Sequence, residues 1–368
     1  MKNKHIFWCS VCLNTSTRPR ITFNDKGICN ACLWTEEKKK INWNSRNAEL
    51  LKLIKNIKRN KKSEFDLIIP VSGGKDGSYV TYMCKEKYKL NPLCVTVNPP
   101  LRTQLGHSNI ETFKKEKNVQ LIEINLPDET HMKINKYGLM KHGRPLYGWL
   151  IAVFTAVLRV ASKFNIDLIM YGEDGEAEYG GVSNLKNNAL FNPSFIKEIY
   201  MSKEYYNSIK SVNLADRTWW EFPTNIDNIK MTHWSYFENW DSYRNYVVAK
   251  KHFGIAENTE KNSGTYTNFS QNDTYLYDLH VYMMYLKFGF GRANQDAGID
   301  VRRGALSREQ AVQLANIYDN EFPEYALEKY LDYYKIQKNI FFKTIDKFAN
   351  KKLFKKVKNK WKPKFEVK

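Results

Sequence analysis

The segment SGGKD (72–76) follows the apolar run DLIIPV (66–71), so two glycines, a lysine and a carboxylate stand at the exit of an expected buried strand. Two glycines let successive backbone N–H groups turn into one concavity, and a helix starting there adds its positive N-terminus, a combination that suits phosphate. Ser72 and Ser78 supply hydroxyls, and Lys75 a positive charge. Asp76 repels phosphate unless it holds a divalent cation such as Mg²⁺, which a pyrophosphate leaving group calls for. The segment matches neither GxxxxGK[ST] nor GxGxxG. An aspartate in a first helical turn also has a plain structural use against the helix dipole. From these residues alone, a phosphate cradle and an ordinary strand-to-helix turn are both open.

A second constellation is made of thiols. CSVC (9–12) and CNAC (29–32) are separated by 16 residues, the spacing of a four-thiolate zinc site built from two short knuckles. Cys9, Cys12, Cys29 and Cys32 are the expected ligands, and such a closed site is structural. Cys84 and Cys94 stand alone and read as small buried hydrophobes. A third constellation, Glu173 and Asp174, ends the run DLIMYG (167–172), with Gly172 before it and Gly180–Gly181 after it like the ends of a binding loop.

The elements that must position these groups form an α/β pattern. Apolar runs at 66–71, 93–98, 119–126 and 167–172 alternate with helical stretches at 78–88, 109–117 and 147–164. Continuous apolar strands joined by helices imply right-handed crossovers and a parallel sheet covered on both faces. In an open sheet of this kind, ligands sit at the carboxyl ends of the strands. Three regions are expected: a knuckle segment with a linker helix (1–60), a sheet domain (61–200) and a mainly helical region with a basic tail (201–368). Ser307 reads as a helix N-cap. Tryptophans 219, 220, 234 and 240 read as helical-lobe core, and the histidines show no metal-ligand spacing.

The formal charge of +19 points to acidic partners such as nucleotides, sugar phosphates, RNA or an anionic membrane. The longest apolar run, WLIAVFTAVL (149–158), is too short to cross a bilayer and reads as a buried helix. The opening residues lack a signal-peptide core, so a cytoplasmic location and free thiols are expected.

Placed after a buried strand, SGGKD resembles the PP-loop (SGG-x-D-S) of the ATP pyrophosphatases, which split ATP between its α and β phosphates. The chain further resembles the N-acetyl sugar amidotransferases of bacterial surface-polysaccharide synthesis. The shared blocks are C-x-x-C…TRPRITF…GICNAC, SGGKDGS, LGHSNIETF, YGEDGEAEYGG, GTYTNF and KFGFGRANQDAGIDVRRGALSREQA, in order from Cys9 to about Pro323. The resemblance implies an adenine nucleotide alpha hydrolase-like sheet domain, ATP with Mg²⁺, and structural Zn²⁺. It also implies adenylation of an N-acetyl oxygen on a nucleotide-activated sugar, then displacement of AMP by ammonia. It assigns Lys75, Asp76 and Glu173 to catalysis, with Asp76 on magnesium. Ser72, Gly73, Gly74, Lys75, Asp76, Gly77, Ser78, Asn98 and Gly172 fall to the nucleotide. For the substrate the sequence itself offers Glu178 and Tyr179, which adjoin the loop after 167–172, and Arg292, Arg302 and Arg303, arginine being suited to phosphate or carboxylate. No glutaminase segment is recognisable, and the resemblance implies a separate glutaminase, with a cyclase-like partner, as the source of ammonia. One departure stands out: the family's serine after the aspartate is Gly77, with Ser78 one place later.

A tRNA-modifying enzyme of the thiolation or lysidine type is the alternative, since those also join a PP-loop to zinc knuckles and basic surfaces. Sulfur insertion uses paired cysteines near the site, and Cys84 and Cys94 form no pair. The lysine-rich stretch 341–365 also suits RNA or an anionic membrane surface, against the plainer expectation of a solvated helix end. A scaffold without catalysis would not need Lys75 and Asp76.

Overall fold

The computed structural model describes residues 5–115, 119–210, 212 and 216–367. Five parallel strands form one sheet in the order β3-β2-β1-β4-β5, with β1 Leu67–Pro70, β2 Pro92–Val97, β3 Gln120–Ile124, β4 Leu168–Tyr171 and β5 Lys230–His233. Successive side chains on a strand point to opposite faces, and both faces here are covered. Ile68, Leu93, Val95 and Ile169 pack beneath the helix Tyr147–Lys163. Leu67, Ile69, Cys94 and Met170 face Tyr79, Val80 and Phe253 on the other side. Every residue of β2 is buried, as its unbroken apolar run requires.

The four expected strands are present. β5 was not foreseen: KMTH is short and carries two polar ends, so no apolar run announces it. It pairs with β4, and Phe191 bridges to Met231. The sheet therefore runs past residue 200, where a new region was expected. Trp220 and Trp234 are fully buried, on opposite faces of the sheet.

A helical lobe follows, built on Tyr275–Phe288, Leu327–Tyr334 and Lys338–Phe348. Ser307 caps Arg308–Tyr318 with a reciprocal bond from Gln310, as expected. The tail does not end as a solvated helix. Phe354–Val357 (β6) and Lys360–Pro363 (β7) form an antiparallel hairpin turned by Lys358 and Asn359 at φ 47° and 62°. Phe354, Trp361 and Phe365 are buried against Tyr330 and Ile6, while the lysines stay outside. Aromatic residues interleaved with lysines satisfy a half-buried hairpin as well as an amphipathic helix. No helix among the described residues is long and apolar enough to cross a membrane.

Candidate active site at the switch point of the sheet

The strand order reverses between β1 and β4, and a parallel sheet opens a crevice at that point. The loop after β1 and the loop after β4 face each other there. Gly73 adopts φ +80°, and a Cβ on it would lie 3.0 Å from the Ile110 backbone nitrogen, so the sharp turn requires glycine. The helix Lys75–Tyr82 then starts at Gly74 with no side-chain cap, leaving its first N–H groups free for a ligand. A cavity of about 110 Å³ lies on this loop, roofed by the strap Phe269–Asp273. Asn109 holds the strap's approach through paired bonds with Ala256 at 2.8 and 2.9 Å.

Gly77 faces the strand rather than the cavity mouth: an added Cβ would sit 3.0 Å from Val71 Cα and 3.1 Å from the Pro70 oxygen. That contact accounts for glycine where the resemblance calls for serine. Ser78 is fully buried, and its hydroxyl has no partner among the described residues, but it lines none of the cavities around the loop.

Lys75 ion-pairs with Asp76 Oδ2, while Asp76 Oδ1 is buried without a partner among the described residues. Burial pulls the Lys75 ammonium down, but Asp76 and Glu173 outweigh it and hold it charged. Across the crevice, Gly172 permits close approach, because a Cβ there would lie 3.2 Å from Asp76 Cβ and 2.9 Å from Trp240. Burial, then the neighbouring Asp76, push the Glu173 carboxyl up to about 7, against Lys75 and a 2.9 Å bond from the Tyr179 hydroxyl. Such a group titrates near neutrality, the range useful for moving protons. Asp76 and Glu173 also form an adjacent carboxylate pair with an orphaned oxygen, a donor set that fits a hard divalent cation.

Three larger cavities converge on these residues. One of about 310 Å³ is mainly apolar, lined by Val95, Val97, Trp149, Phe154 and Tyr171, and reaches Asp76 and Glu173. One of about 430 Å³ runs from Lys75, Asp76 and Glu173 to Tyr243, Tyr246 and Phe269. The third, of about 300 Å³, passes from Glu173 to the knuckle side at Lys38 and Trp43.

Other expected residues play different parts. Asp174 points away from the crevice: it caps the helix Gly175–Tyr179 through the Ala177 N–H, and burial raises its carboxyl to about 6. Asn98 turns along the sheet edge, donating to Asn125 at 2.7 Å and Glu123 at 3.4 Å. Glu178 accepts from Trp34 Nε1 at 3.0 Å and Lys38 Nζ at 2.8 Å, and its carbonyl accepts from Arg302 at 3.1 Å. Its carboxylate is committed to the knuckle rather than free for a sugar. Arg302 lies beside the cysteine cluster, whose charge outweighs burial and keeps the guanidinium protonated. Arg292 is 2% exposed, donates to the Ser270 carbonyl, lies 3.8 Å from Asp278 and Asp296, and sits against the Tyr277 ring. It braces the strap from behind and lines none of these cavities. Trp240, Phe269 and Asp296 line the cavities; Phe269 and Asp296 lie in the shared blocks GTYTNF and KFGFGRANQDAGIDVRRGALSREQA, but nothing in those blocks marked them as the residues that face the site.

The four expected cysteines meet. Their sulfurs lie within 4.8 Å of one another, with Cys9–Cys32 at 3.8 Å and Cys12–Cys29 at 3.7 Å. Zn–S bonds of ~2.3 Å in a tetrahedron place sulfurs about 3.8 Å apart, so the thiols fit zinc. The N–H groups of Val11, Asn14 and Cys29 point at the sulfurs, as thiolates require. The knuckle also grips the β4 loop: Asn14 Nδ2 reaches both Cys29 Sγ and the Tyr179 oxygen at 3.4 Å, Asn30 bonds Gly181 at 2.9 Å, and Arg20 bonds Glu176.

Residues 263–366, which include the strap and the helical lobe, match the family model described as LPS biosynthesis protein WbpG-like, C-terminal domain. Over 118 residues, 32% of this chain, the sequence is 34% identical to "Uncharacterized protein MJ1599" of Methanocaldococcus jannaschii. The chain spans 42% of the length of that curated relative. Among solved structures, the NMN synthetase of Francisella tularensis aligns over 82% of this chain and 96% of its own, at 9% identity and a TM-score of 0.34. The NH3-dependent NAD synthetase of Campylobacter jejuni aligns over 48% and 76%, at 18% identity and a TM-score of 0.31.

Proposed function

We propose that this chain is an ATP-dependent, AMP- and pyrophosphate-forming amidotransferase that converts an N-acetyl group on a nucleotide-activated sugar into an acetamidino group. The observation that carries the reading is the convergence of an uncapped phosphate-ready loop, an apolar cavity and an aromatic cavity on Lys75, Asp76 and Glu173. The match of residues 263–366 to a lipopolysaccharide-biosynthesis domain supports a sugar substrate.

In this reading the adenosine lies in the apolar cavity and the β and γ phosphates lie on the loop at Ser72–Lys75. The acetamido oxygen attacks the α phosphorus, and the bond to the bridging oxygen breaks. Lys75 and the open N–H groups of the helix start stabilise the departing pyrophosphate. Asp76, with Glu173 beside it, would hold a magnesium ion, which would supply further charge neutralisation. Ammonia then adds to the imidate carbon, Glu173 takes the proton that nitrogen sheds, and AMP leaves with the C–O bond. The walls keep the intermediate from water. Ammonia comes from a separate glutaminase with a cyclase-like partner, in the cytoplasm.

Cys84 and Cys94 are buried, and burial raises both thiols, Cys94 to about 12. Neither suits sulfur transfer in the crevice, which favours the amidotransferase over a thiolating enzyme. The test is release of AMP and pyrophosphate from ATP that requires both ammonia and an acetamido-sugar nucleotide. Turnover that instead requires tRNA would replace this reading.

A further inference from the structure

Two cavities that meet at Glu173 together form one bent cleft, since both are lined by Glu173, Tyr179, Ser242, Ile299 and Arg303. The limb of about 430 Å³ ends on an aromatic shelf. Tyr246 and Phe269 have ring centroids 4.6 Å apart, and Tyr243, 49% exposed, lies 6.0 and 6.1 Å from them. Asp296 lines the same limb. Its Oδ2 is fixed by Thr265 and Thr267 at 2.7 and 3.2 Å, and its Oδ1 has no protein donor among the described residues. A ring face stacks on such a shelf through its C–H groups, while a fixed carboxylate oxygen accepts from a hydroxyl.

The limb of about 300 Å³ has a different chemistry. Lys38, Lys39, Arg302 and Arg303 line it with Trp43 and Trp240. Its acids other than Glu173 are already engaged: Glu178 by Trp34 and Lys38, Asp241 by the Arg244 N–H at 2.7 Å. Trp240 is 8% exposed, and its Nε1 is buried with no acceptor among the described residues. Arg303 stands at the bend, anchored to Asp300 at 2.7 Å with its guanidinium 5.5 Å from the Tyr243 ring centroid. Lys38, Lys39 and Arg303 are each paired with a carboxylate, Glu178, Glu36 and Asp300. Arg302 Nη1 and Trp240 Nε1, however, are buried donors with no acceptor among the described residues. Such donors beside three cations suit an oxyanion.

We propose that the bent cleft is a bipartite acceptor site. A hydroxylated ring lies on Tyr246 and Phe269 with a hydroxyl on Asp296, and an oxyanion of the same molecule, a diphosphate or a carboxylate, lies beyond Arg303 towards Lys39 and Trp240. The proposal rests on the function above and gives its acceptor a place. It also makes the zinc knuckle, through Lys38 and Lys39 on the helix Asn30–Lys38 and its C-cap, one wall of the acceptor site.

The test is calorimetric titration of the zinc-loaded chain with the ATP site filled by α,β-methylene-ATP. The probes are UDP-N-acetylglucosamine, UDP, N-acetylneuraminic acid and N-acetylglucosamine. An anionic sugar probe is expected to bind roughly tenfold or more tightly than N-acetylglucosamine. Tyr246→Ala, which lines the aromatic limb and not the phosphate-loop cavity, should weaken UDP-N-acetylglucosamine roughly tenfold and leave UDP unchanged. Arg303→Ala should weaken both alike. The same pattern with N-acetylneuraminic acid in place of the UDP probes supports the site and identifies the oxyanion as a carboxylate. An unaltered affinity for α,β-methylene-ATP in each variant establishes that it is folded. Absence of binding by all four probes, insensitivity to both substitutions, or displacement of the probes by α,β-methylene-ATP overturns the proposal. No turnover is involved, so the expected binding pattern without AMP formation would sink the function and spare the site. AMP formation with insensitive binding would do the reverse.

Discussion

Tyr179 donates its hydroxyl to Glu173 Oε1 at 2.9 Å, while its own carbonyl oxygen accepts from Asn14, the residue whose amide also reaches Cys29 Sγ. One tyrosine thus connects the thiol cluster to the carboxyl at the crevice.

Removing that hydroxyl takes away a bond that favours the charged form of Glu173. In Tyr179→Phe the Glu173 carboxyl moves further up, and the acid limb of the kcat/KM–pH profile shifts to higher pH. At neutral pH the rate falls on the order of tenfold. A pH–rate series on both proteins checks this; an unmoved limb would show that Glu173 is not the titrating base.

Glu173 also lowers stability as it ionises. Its folded pKa, up to about 7 through burial and Asp76, exceeds the value in the unfolded chain. The native state therefore binds the proton more tightly. Stability from this group is fully present below the unfolded pKa and is lost as pH rises through about 7. Glu173→Gln is expected to be inactive yet more stable than the parent at pH 8, by on the order of 2 kcal/mol or less, with little difference at pH 4. Urea unfolding at the two pH values measures the gap.

Gly77→Ser places a Cβ 3.0 Å from Val71 Cα and 3.1 Å from the Pro70 oxygen, both backbone atoms of the strand end. The loop must shift, at about 1–3 kcal/mol, and ATP affinity drops although the substitution restores the serine of the resembling loop. Ser78→Ala leaves ATP affinity close to that of the parent, because Ser78 is buried off the cavity walls. Nucleotide titration of the two variants would contradict this if their order were reversed.

Asn14→Ala separates metal binding from positioning. The four thiols are untouched, so one zinc per chain should remain by metal analysis, while kcat falls several-fold and the KM for ATP stays constant. Chelation of the zinc should release the β4 loop, seen as faster amide exchange at 176–181, before the sheet unfolds.

The sequence was most informative where local chemistry decides structure. Apolar runs marked β1 to β4, the cysteine spacing marked the knuckle, and Ser307 marked a helix start, each readable from neighbours in the chain. KMTH escaped because a short edge strand needs no apolar run. The tail was read as helix because lysines with interleaved aromatics fit both periods until Lys358 and Asn359 turn the chain.

The candidate site was legible to the same depth. Residues 72–77 and Glu173 stand in the crevice because a parallel sheet delivers the ends of its strands to one edge, whatever follows. Arg292 and Phe269 show the limit. Arg292, one of the arginines expected at the substrate, is buried behind the strap, while Phe269, the last residue of GTYTNF, lines the aromatic cavity. Tyr246 and Phe269 meet at 4.6 Å across 23 residues of chain, and Glu178 turns to Trp34 across 144. By itself the sequence determined the four strands that carry apolar runs and where the thiols gather, and it pointed to one loop as a phosphate cradle. Only the tertiary structure decided which side chains face that place, because facing is set by packing between segments distant in the chain.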